Sequence, residues 1–259
     1  MRILPFCLLA AFTLFSLPAQ AILQGTTNRD PNGLRRSVVY IENSAGELCS
    51  GAVIAQDLVL TAAHCMMDQA AYRVIGVNRA FRPQGFAVVA TAVHPAFVPG
   101  TTPRTQPGVD LAILKLARPL GSDYAPLDPR LAGTIETGER VTIAGFGLLS
   151  ERQRRTARTL RQVDLVSLGP VEVANRVVIV TDRARLAETT GAGACRGDSG
   201  GPILSAAGPG GYRLIGIVSW SSGALRTRDP SACGGLTAVT PVAEHLGWIM
   251  QGMRTLDGL

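Results

Sequence analysis

The segment from Cys195 to Pro202 reads CRGDSGGP and places Ser199 between closely spaced glycines. Because glycine has no side chain to obstruct them, backbone N–H groups in such a segment can approach a reacting carbonyl group closely. A serine in this setting is a candidate nucleophile for acyl transfer, provided that the chain also supplies a base to activate it.

Two upstream segments supply candidate partners for that serine. His64 lies in the run LTAAHC, at the end of a predicted strand and beside Cys65, which can pin it. Asp110 directly precedes the apolar run LAILKL, which would draw its carboxylate into the interior, where a charge needs a partner. Histidine, aspartate and serine in this chain order match one known arrangement of a catalytic triad.

The Gly-x-Ser-x-Gly pattern around Ser199 also fits the nucleophile elbow of α/β-hydrolases, so the local motif is ambiguous. An elbow needs a strand, a turn and a helix, followed later in the chain by the acid and the histidine. Here Pro202 leads into the strand-like pair Ile203-Leu204, and only His245 follows, inside a predicted helix. The wider context therefore favours a triad with its histidine and aspartate ahead of the serine.

The segments TAAHC, DLAIL, GDSGGP and SW (219–220) occur in the order and near the separations found in one family. Over essentially all of its length after residue 21, the chain resembles the trypsin/chymotrypsin-type serine proteases. That resemblance implies an all-β fold of two antiparallel six-stranded Greek-key β-barrels, with the active site in the cleft between them and a C-terminal α-helix.

The resemblance also implies a role for each matching residue. Ser199 would be the nucleophile, His64 the general base and then the acid, and Asp110 the group that orients and stabilises the histidine. The backbone N–H groups of Gly197 and Ser199 would form the oxyanion hole. The implied activity is hydrolysis of peptide bonds through an acyl-enzyme, with no metal and no cofactor.

The residues of the implied specificity pocket differ from those of trypsin. Trypsin holds an aspartate six residues before the nucleophile, whereas this chain has Gly193 there, followed by Ala194. A substrate Arg or Lys would have no buried partner, which predicts cleavage after small or medium uncharged residues. Arg196, at the pocket mouth, either favours acidic substrate positions or points into water. The other predicted substrate-binding residues are Ser219, Trp220, Ser221 and Thr237.

The run Ile22-Leu23-Gln24-Gly25 resembles the Ile-Val-Gly-Gly start of active family members, with Gln24 as a departure. The resemblance implies that the ammonium group of Ile22, once exposed by cleavage, enters the interior and pairs with Asp198. Ile22 directly follows the predicted signal cleavage site, so we expect signal removal alone to generate the active form.

Short β-branched and apolar runs separated by turn residues are typical of an all-β sandwich or barrel. The clearest helix pattern begins with Thr240 as N-cap and Pro241 at its first position. The predicted ranges are about 22–124 for the first barrel, 125–240 for the second and 241–253 for the helix. The runs interpreted as strands are 38–41, 52–55, 58–61, 72–75, 87–93, 111–116, 141–144, 177–181 and 212–219.

Residues 1–21 have the three parts of a secretory signal: a basic start, an apolar stretch and a small-x-small cleavage site. An uncleaved anchor is the alternative. We therefore expect a secreted protein, extracellular or periplasmic, without a stable membrane span in its mature form. Four cysteines remain after the signal, and they predict two disulfides with three possible pairings rather than a zinc site. The resemblance selects Cys49–Cys65 and Cys195–Cys233.

The composition narrows the possible partners. With 46% hydrophobic residues the chain is too apolar for a disordered protein, and 5% aromatic content makes a base-stacking surface unlikely despite the net charge of +6. The segment 151–161 holds five arginines and is interpreted as a solvated loop. We expect protein or peptide substrates, protein inhibitors, no nucleic acid and a monomer. The rival hypotheses are a catalytically silent binding protein and a serine esterase.

Overall fold

The computed structural model describes residues 22–30, 32–66, 70–188, 191–208, 211–225 and 231–258. The predicted secretory signal, residues 1–21, lies outside the described residues. Most strands are β-branched or aliphatic runs bounded by Gly, Asn, Asp or Pro, a composition that favours extended, half-buried backbone. The first strand, β1 (Thr26–Thr27), is only two residues long.

Six antiparallel strands close into a first barrel: β2 (Val38–Asn43), β3 (Leu48–Ala55), β4 (Leu58–Thr61), β5 (Tyr72–Val77), β6 (Pro83–Val93) and β7 (Ala112–Leu116). Their order around the barrel is β2-β3-β4-β7-β6-β5. Thr61 pairs with Ala112, so the end of β4 lies beside the start of β7. This pairing matters for the site, because His64 follows β4 and Asp110 precedes β7.

A second closed barrel contains β8 (Arg140–Gly145), β9 (Arg161–Glu172), β10 (Arg176–Thr181), β11 (Pro202–Ala206), β12 (Tyr212–Ser221) and β13 (Leu236–Pro241). Their order is β8-β9-β10-β13-β12-β11, and pairing of β11 with β8 closes the ring. Shifts of register interrupt the β9–β10, β11–β12 and β12–β13 ladders. Such irregularities let a strand bend and turn a barrel corner.

The two barrels and the C-terminal helix confirm the predicted all-β architecture. They pack against each other through a shared apolar core, in which the rings of Tyr40 and Phe146 lie 5.1 Å apart. The cleft along this junction holds the predicted site residues His64 and Ser199.

The start of the described chain lies on the second barrel. β1 pairs with β9, and Ile22 is buried in an apolar cluster with Ala192, Ala194 and other second-barrel residues. The predicted range of about 22–124 for the first barrel therefore includes residues 22–27, which the structure places on the second barrel.

The end of the chain crosses back to the first barrel as helix α1 (Leu246–Asp257). The helix begins five residues later than predicted, since Thr240 and Pro241 remain paired with β12 and a 3-10 helix precedes Leu246. Ile249 and Leu256 are buried in the core that the first barrel shares. Within the described ranges, the chain contains no helix that is both long and apolar enough to traverse a bilayer.

Candidate active site

His64, which lines the cleft, is bonded twice to the buried carboxylate of Asp110. The ring Nδ1 of His64 lies 2.8 Å from Oδ2 of Asp110, and the His64 backbone N–H donates to Oδ1 at 2.9 Å. The hydroxyl group of Ser219, on β12, also donates to Oδ2. Asp110 therefore receives hydrogen bonds from both barrels.

The environment of Asp110 keeps its carboxylate charged. Burial alone would raise its pKa, but the charge and hydrogen bonds of His64 and the Ser219 hydroxyl outweigh that effect and lower the pKa. An ionised Asp110 accepts the Nδ1 proton of His64, so Nε2, which lies 3.9 Å from Sγ of Cys65, is the ring nitrogen that can accept a proton. The structure thus positions a base oriented by a buried acid.

The loop that carries Ser199 is held by close contacts that require glycine. Gly200 has φ +79°, and a Cβ there would lie 2.0 Å from Oγ1 of Thr61 and 2.3 Å from the carbonyl oxygen of Ser50. The backbone N–H of Ser50 donates to the carbonyl oxygen of Ser199 at 2.7 Å. Strand β3 of the first barrel therefore fixes the backbone of the nucleophile loop.

Ser199 and His64 line the same cleft, which has a volume of about 800 Å³. Among the described residues, no hydrogen bond of 3.5 Å or less joins their side chains. Catalytic hydrogen bonds are often long before substrate binds and shorten in the complex. The arrangement brings the candidate nucleophile and the candidate base together in one cleft without a direct bond.

Gly197 and Ser199 line this cleft and carry backbone N–H groups that need a partner. In the described part of the chain, the N–H groups of Gly197 and Ser199 have no hydrogen-bond acceptor. Unsatisfied backbone N–H groups are rare in folded proteins unless water or a ligand completes them. Both residues line the cleft, so these N–H groups are available to stabilise a developing oxyanion.

Ser50 is a residue of this site that the sequence patterns do not single out. Its hydroxyl accepts from the N–H of Phe146 at 3.0 Å and donates to the carbonyl oxygen of Gly197 at 2.8 Å. The side chain is completely buried. A serine inside a strand gives no sequence signal for such a role, because both bonds reach residues nearly one hundred or more positions away.

Asp198, next to the nucleophile, is a second buried carboxylate. It accepts N–H groups from Gly147 at 2.8 Å and Cys195 at 2.9 Å. Burial is the largest influence and raises the pKa of Asp198 to about 7, although both hydrogen bonds and the charge of Arg161 act in the opposite direction. Among the described side chains, none forms an ion pair with it. The carboxylate therefore needs a cation in order to stay charged.

Ile22 lies close in the fold to the segment that carries Asp198. Only 1% of its surface is exposed, and the backbone N–H of Gly193 donates to the carbonyl oxygen of Leu23 at 3.2 Å. The structure therefore places the predicted new N-terminus against the 191–198 segment. No hydrogen bond between Ile22 and Asp198 is present within the described chain.

The structure contains the disulfides Cys195–Cys233, in the segment that carries Gly193, Ala194 and Arg196, and Cys49–Cys65, beside His64. These are the two pairs that the resemblance implies. Gly193 is close-packed, since a Cβ there would lie 3.0 Å from Cα of Gly234 and 3.4 Å from Oγ1 of Thr237. The N–H of Ala194 donates to the same Oγ1.

The remaining predicted substrate residues have different surroundings. The hydroxyl of Ser219 is buried against Asp110, whereas the hydroxyl of Ser221 donates to the carbonyl oxygen of Ala232. Trp220 is half-buried at the end of β12. Of the predicted set, only Arg196 is well exposed, and its Nε lies 2.6 Å from Oε1 of Glu151 at the edge of the cleft.

The arginine-rich segment is only partly a solvated loop. Arg152, Arg154 and Arg155 are exposed, and Arg158 forms an ion pair with Glu42 at 2.6 Å. Arg161 instead is buried at the start of β9, where it donates to two carbonyl oxygens of its own segment.

Cys49, His64 and Cys65 have potential metal-ligating atoms within 4.8 Å of one another. Both sulfur atoms belong to the disulfide, so neither is available as a thiolate ligand.

Comparisons with known proteins agree on one family. A family model described as Trypsin matches residues 22–249. The chain is 30% identical over 200 residues to trypsin from Sarcophaga bullata, covering 74% of this chain and 76% of the relative. It is 29% identical over 217 residues to human kallikrein-11, covering 80% of this chain and 72% of the relative.

Two solved structures share the fold. Human heparin binding protein superposes with a TM-score of 0.66 at 23% identity, covering 90% of this chain and 96% of that protein. Neuropsin from mouse brain, a serine protease, superposes with a TM-score of 0.65 at 21% identity, covering 89% and 99%.

The substitution Ser50→Ala tests the anchoring of the nucleophile loop. It removes both hydroxyl bonds and leaves the buried N–H of Phe146 unsatisfied, so we expect the free energy of unfolding to fall by about 2 kcal/mol. We also expect Ser199 to react about tenfold more slowly with a fluorophosphonate probe. Ser205→Ala is the matched control, because that buried hydroxyl has no partner. Equal effects of the two substitutions would contradict the role of Ser50.

The raised pKa of Asp198 predicts a pH-dependent stability for the chain before cleavage at Ile22. The folded state favours the protonated carboxyl of Asp198 more than the unfolded state does, so the contribution of Asp198 to stability is largest at acidic pH and is lost as pH rises toward about 7. A shift of this size corresponds to a loss of about 4 kcal/mol. Chemical unfolding of a chain starting at Pro18 and carrying Ser199→Ala measures it. Adding Asp198→Asn should flatten the pH profile, and an unchanged slope would refute the assignment.

Proposed function

The chain belongs to the trypsin family of serine proteases, and from this we propose that it is a secreted endopeptidase with a triad of Ser199, His64 and Asp110. One observation carries the proposal. A buried, ionised Asp110 bonds Nδ1 of His64, which lines a cleft that also holds Ser199 and two backbone N–H groups without acceptors among the described residues.

In the proposed mechanism, Oγ of Ser199 attacks the carbonyl carbon of the scissile peptide bond while Nε2 of His64 takes the hydroxyl proton. Asp110 stabilises the imidazolium that forms. The negative oxygen of the tetrahedral intermediate is stabilised by the N–H groups of Gly197 and Ser199. His64 then protonates the leaving amine, and the acyl-enzyme is hydrolysed by water, activated by the same histidine.

We propose that the enzyme cleaves after small or medium uncharged residues. Gly193 provides no carboxylate at the position that trypsin uses to bind Arg or Lys, and its close packing against Gly234 and Thr237 leaves little room for a larger side chain there. Ser221 stands at the position in the wall of the proposed specificity pocket where trypsin and chymotrypsin have glycine. Arg196 forms an ion pair with Glu151, so it is less available to bind an acidic side chain of the substrate.

We further propose that signal removal at Ala21–Ile22 activates the enzyme. The new ammonium group would supply the cation that buried Asp198 lacks, and removing one partner of such a pair typically costs about 3 to 5 kcal/mol. Ile22 has φ 42°, a conformation that β-branched residues rarely adopt within a chain. Loss of the preceding carbonyl group relieves that steric conflict.

Export agrees with the other features of the proposal. Residues 1–21 provide the signal, and two disulfides are typical of an oxidising compartment, extracellular or periplasmic. The expected partners are protein or peptide substrates and protein inhibitors, and the expected state is a monomer.

A peptide-library cleavage profile of the chain starting at Ile22 tests the activity. We expect cleavage after small or medium uncharged residues and a loss of at least about a thousandfold in kcat for Ser199→Ala. An uncut library would instead support a catalytically silent binding protein. Turnover of simple esters without peptide cleavage would support the esterase alternative.

Sequencing the N-terminus of the exported protein tests the activation step. Export should yield Ile22 as the first residue together with full activity. A longer exported form that gains activity only after later cleavage at Ile22 would refute activation by signal removal alone.

A further inference from the structure

β12 has an open hydrogen-bonding edge at Ser221, two residues after Ser219, whose hydroxyl bonds Asp110. The N–H of Ser222 donates to the carbonyl oxygen of Leu236 on β13, at 2.9 Å. In an antiparallel ladder, alternate residues face opposite edges, so the backbone of Ser221 faces away from β13. An extended peptide can add to such an edge as a further strand.

The guanidinium group of Arg104 occupies this edge. Its Nη2 donates to the carbonyl oxygen of Ser221 at 2.7 Å, and its Cζ lies 5.5 Å from the ring centroid of Trp220. No carboxylate of the described residues lies within 4.0 Å of this guanidinium. Arg104 therefore carries a positive charge without a counterion among the described residues, at the edge of β12 where a further strand would bind.

The loop that carries Arg104 is internally braced. Gln106 is completely buried, and its amide bonds both the N–H and the carbonyl oxygen of Val98 at 2.9 Å. The hydroxyls of Thr102 and Thr105, which flank the arginine, bond each other at 2.8 Å. Nδ2 of Asn175, on the second barrel, donates to the carbonyl oxygen of Gly108. This bracing holds Arg104 over β12.

We propose that Arg104 is a specificity-determining residue that selects substrates with an acidic side chain near the cleaved bond. That side chain belongs to one of the three residues that precede the residue whose carbonyl group is attacked. A substrate strand must take the carbonyl oxygen of Ser221 for its own N–H and so displaces the guanidinium. A carboxylate on the substrate gives the guanidinium a new partner, whereas a neutral side chain does not. This inference rests on the proposed endopeptidase activity.

Matched peptides test the inference on the chain starting at Ile22. Each of the three positions is filled in turn with Glu or Gln, and kcat/KM is measured for every pair. We expect a preference for Glu of about three- to tenfold at one position, decreasing as salt is raised. Arg104→Gln should bring the ratio to about one. Arg118→Gln is the matched control, since Arg118 also stacks on an aromatic ring, at 4.3 Å from the centroid of Phe86, but lies elsewhere.

Three results would overturn the inference. They are a ratio of kcat/KM for Glu over Gln peptides near one at all positions, a preference for Glu that persists in Arg104→Gln, and an equal rise in kcat/KM for every peptide in that variant. Turnover of a blocked single-residue amide, which is too short to reach Ser221, distinguishes failure of this inference from failure of the proposed endopeptidase activity. Turnover of the amide without a Glu preference refutes only the role of Arg104. Absence of all turnover refutes the endopeptidase activity itself.

Discussion

The burial of one charged carboxylate, that of Asp110, constrains the whole molecule. A charge removed from water needs compensating hydrogen bonds, and these come from His64 in the first barrel and Ser219 in the second. The carboxylate is therefore fully satisfied only when the two barrels are docked. The same docking bonds the backbone of Ser199 to that of Ser50. Assembly of the site and closure of the domain interface are one event.

The two buried aspartates show that burial alone does not set a pKa. Asp110 has a lowered pKa because a histidine and a hydroxyl group bond its carboxylate. Asp198 has only two backbone donors and a more distant arginine, and its pKa is raised. Asp110 is stabilised as an anion, while Asp198 has no ion-pair partner among the described side chains. Their different surroundings match the different roles proposed for orientation and activation.

The sequence predicts local and motif-encoded features better than long-range contacts. The apolar run 58–61 is β4, but β9 is missed because polar residues and a Gly-Pro pair interrupt its pattern. Pro241 resembles a helix start, yet pairing with Gly216 keeps it in β13. Ser50 and Arg104 carry no local signal, since their importance comes from bonds to residues distant in sequence. Spatial neighbours, rather than propensity, determine such roles.

The two ends of the described chain are exchanged between the barrels. The segment at Ile22 is buried in the second barrel, and helix α1 packs on the first. Each barrel is thus completed by residues from the opposite end of the sequence, so neither half contains all of its own core. Truncation at either end would therefore uncover apolar surface on the barrel formed by the opposite half of the chain.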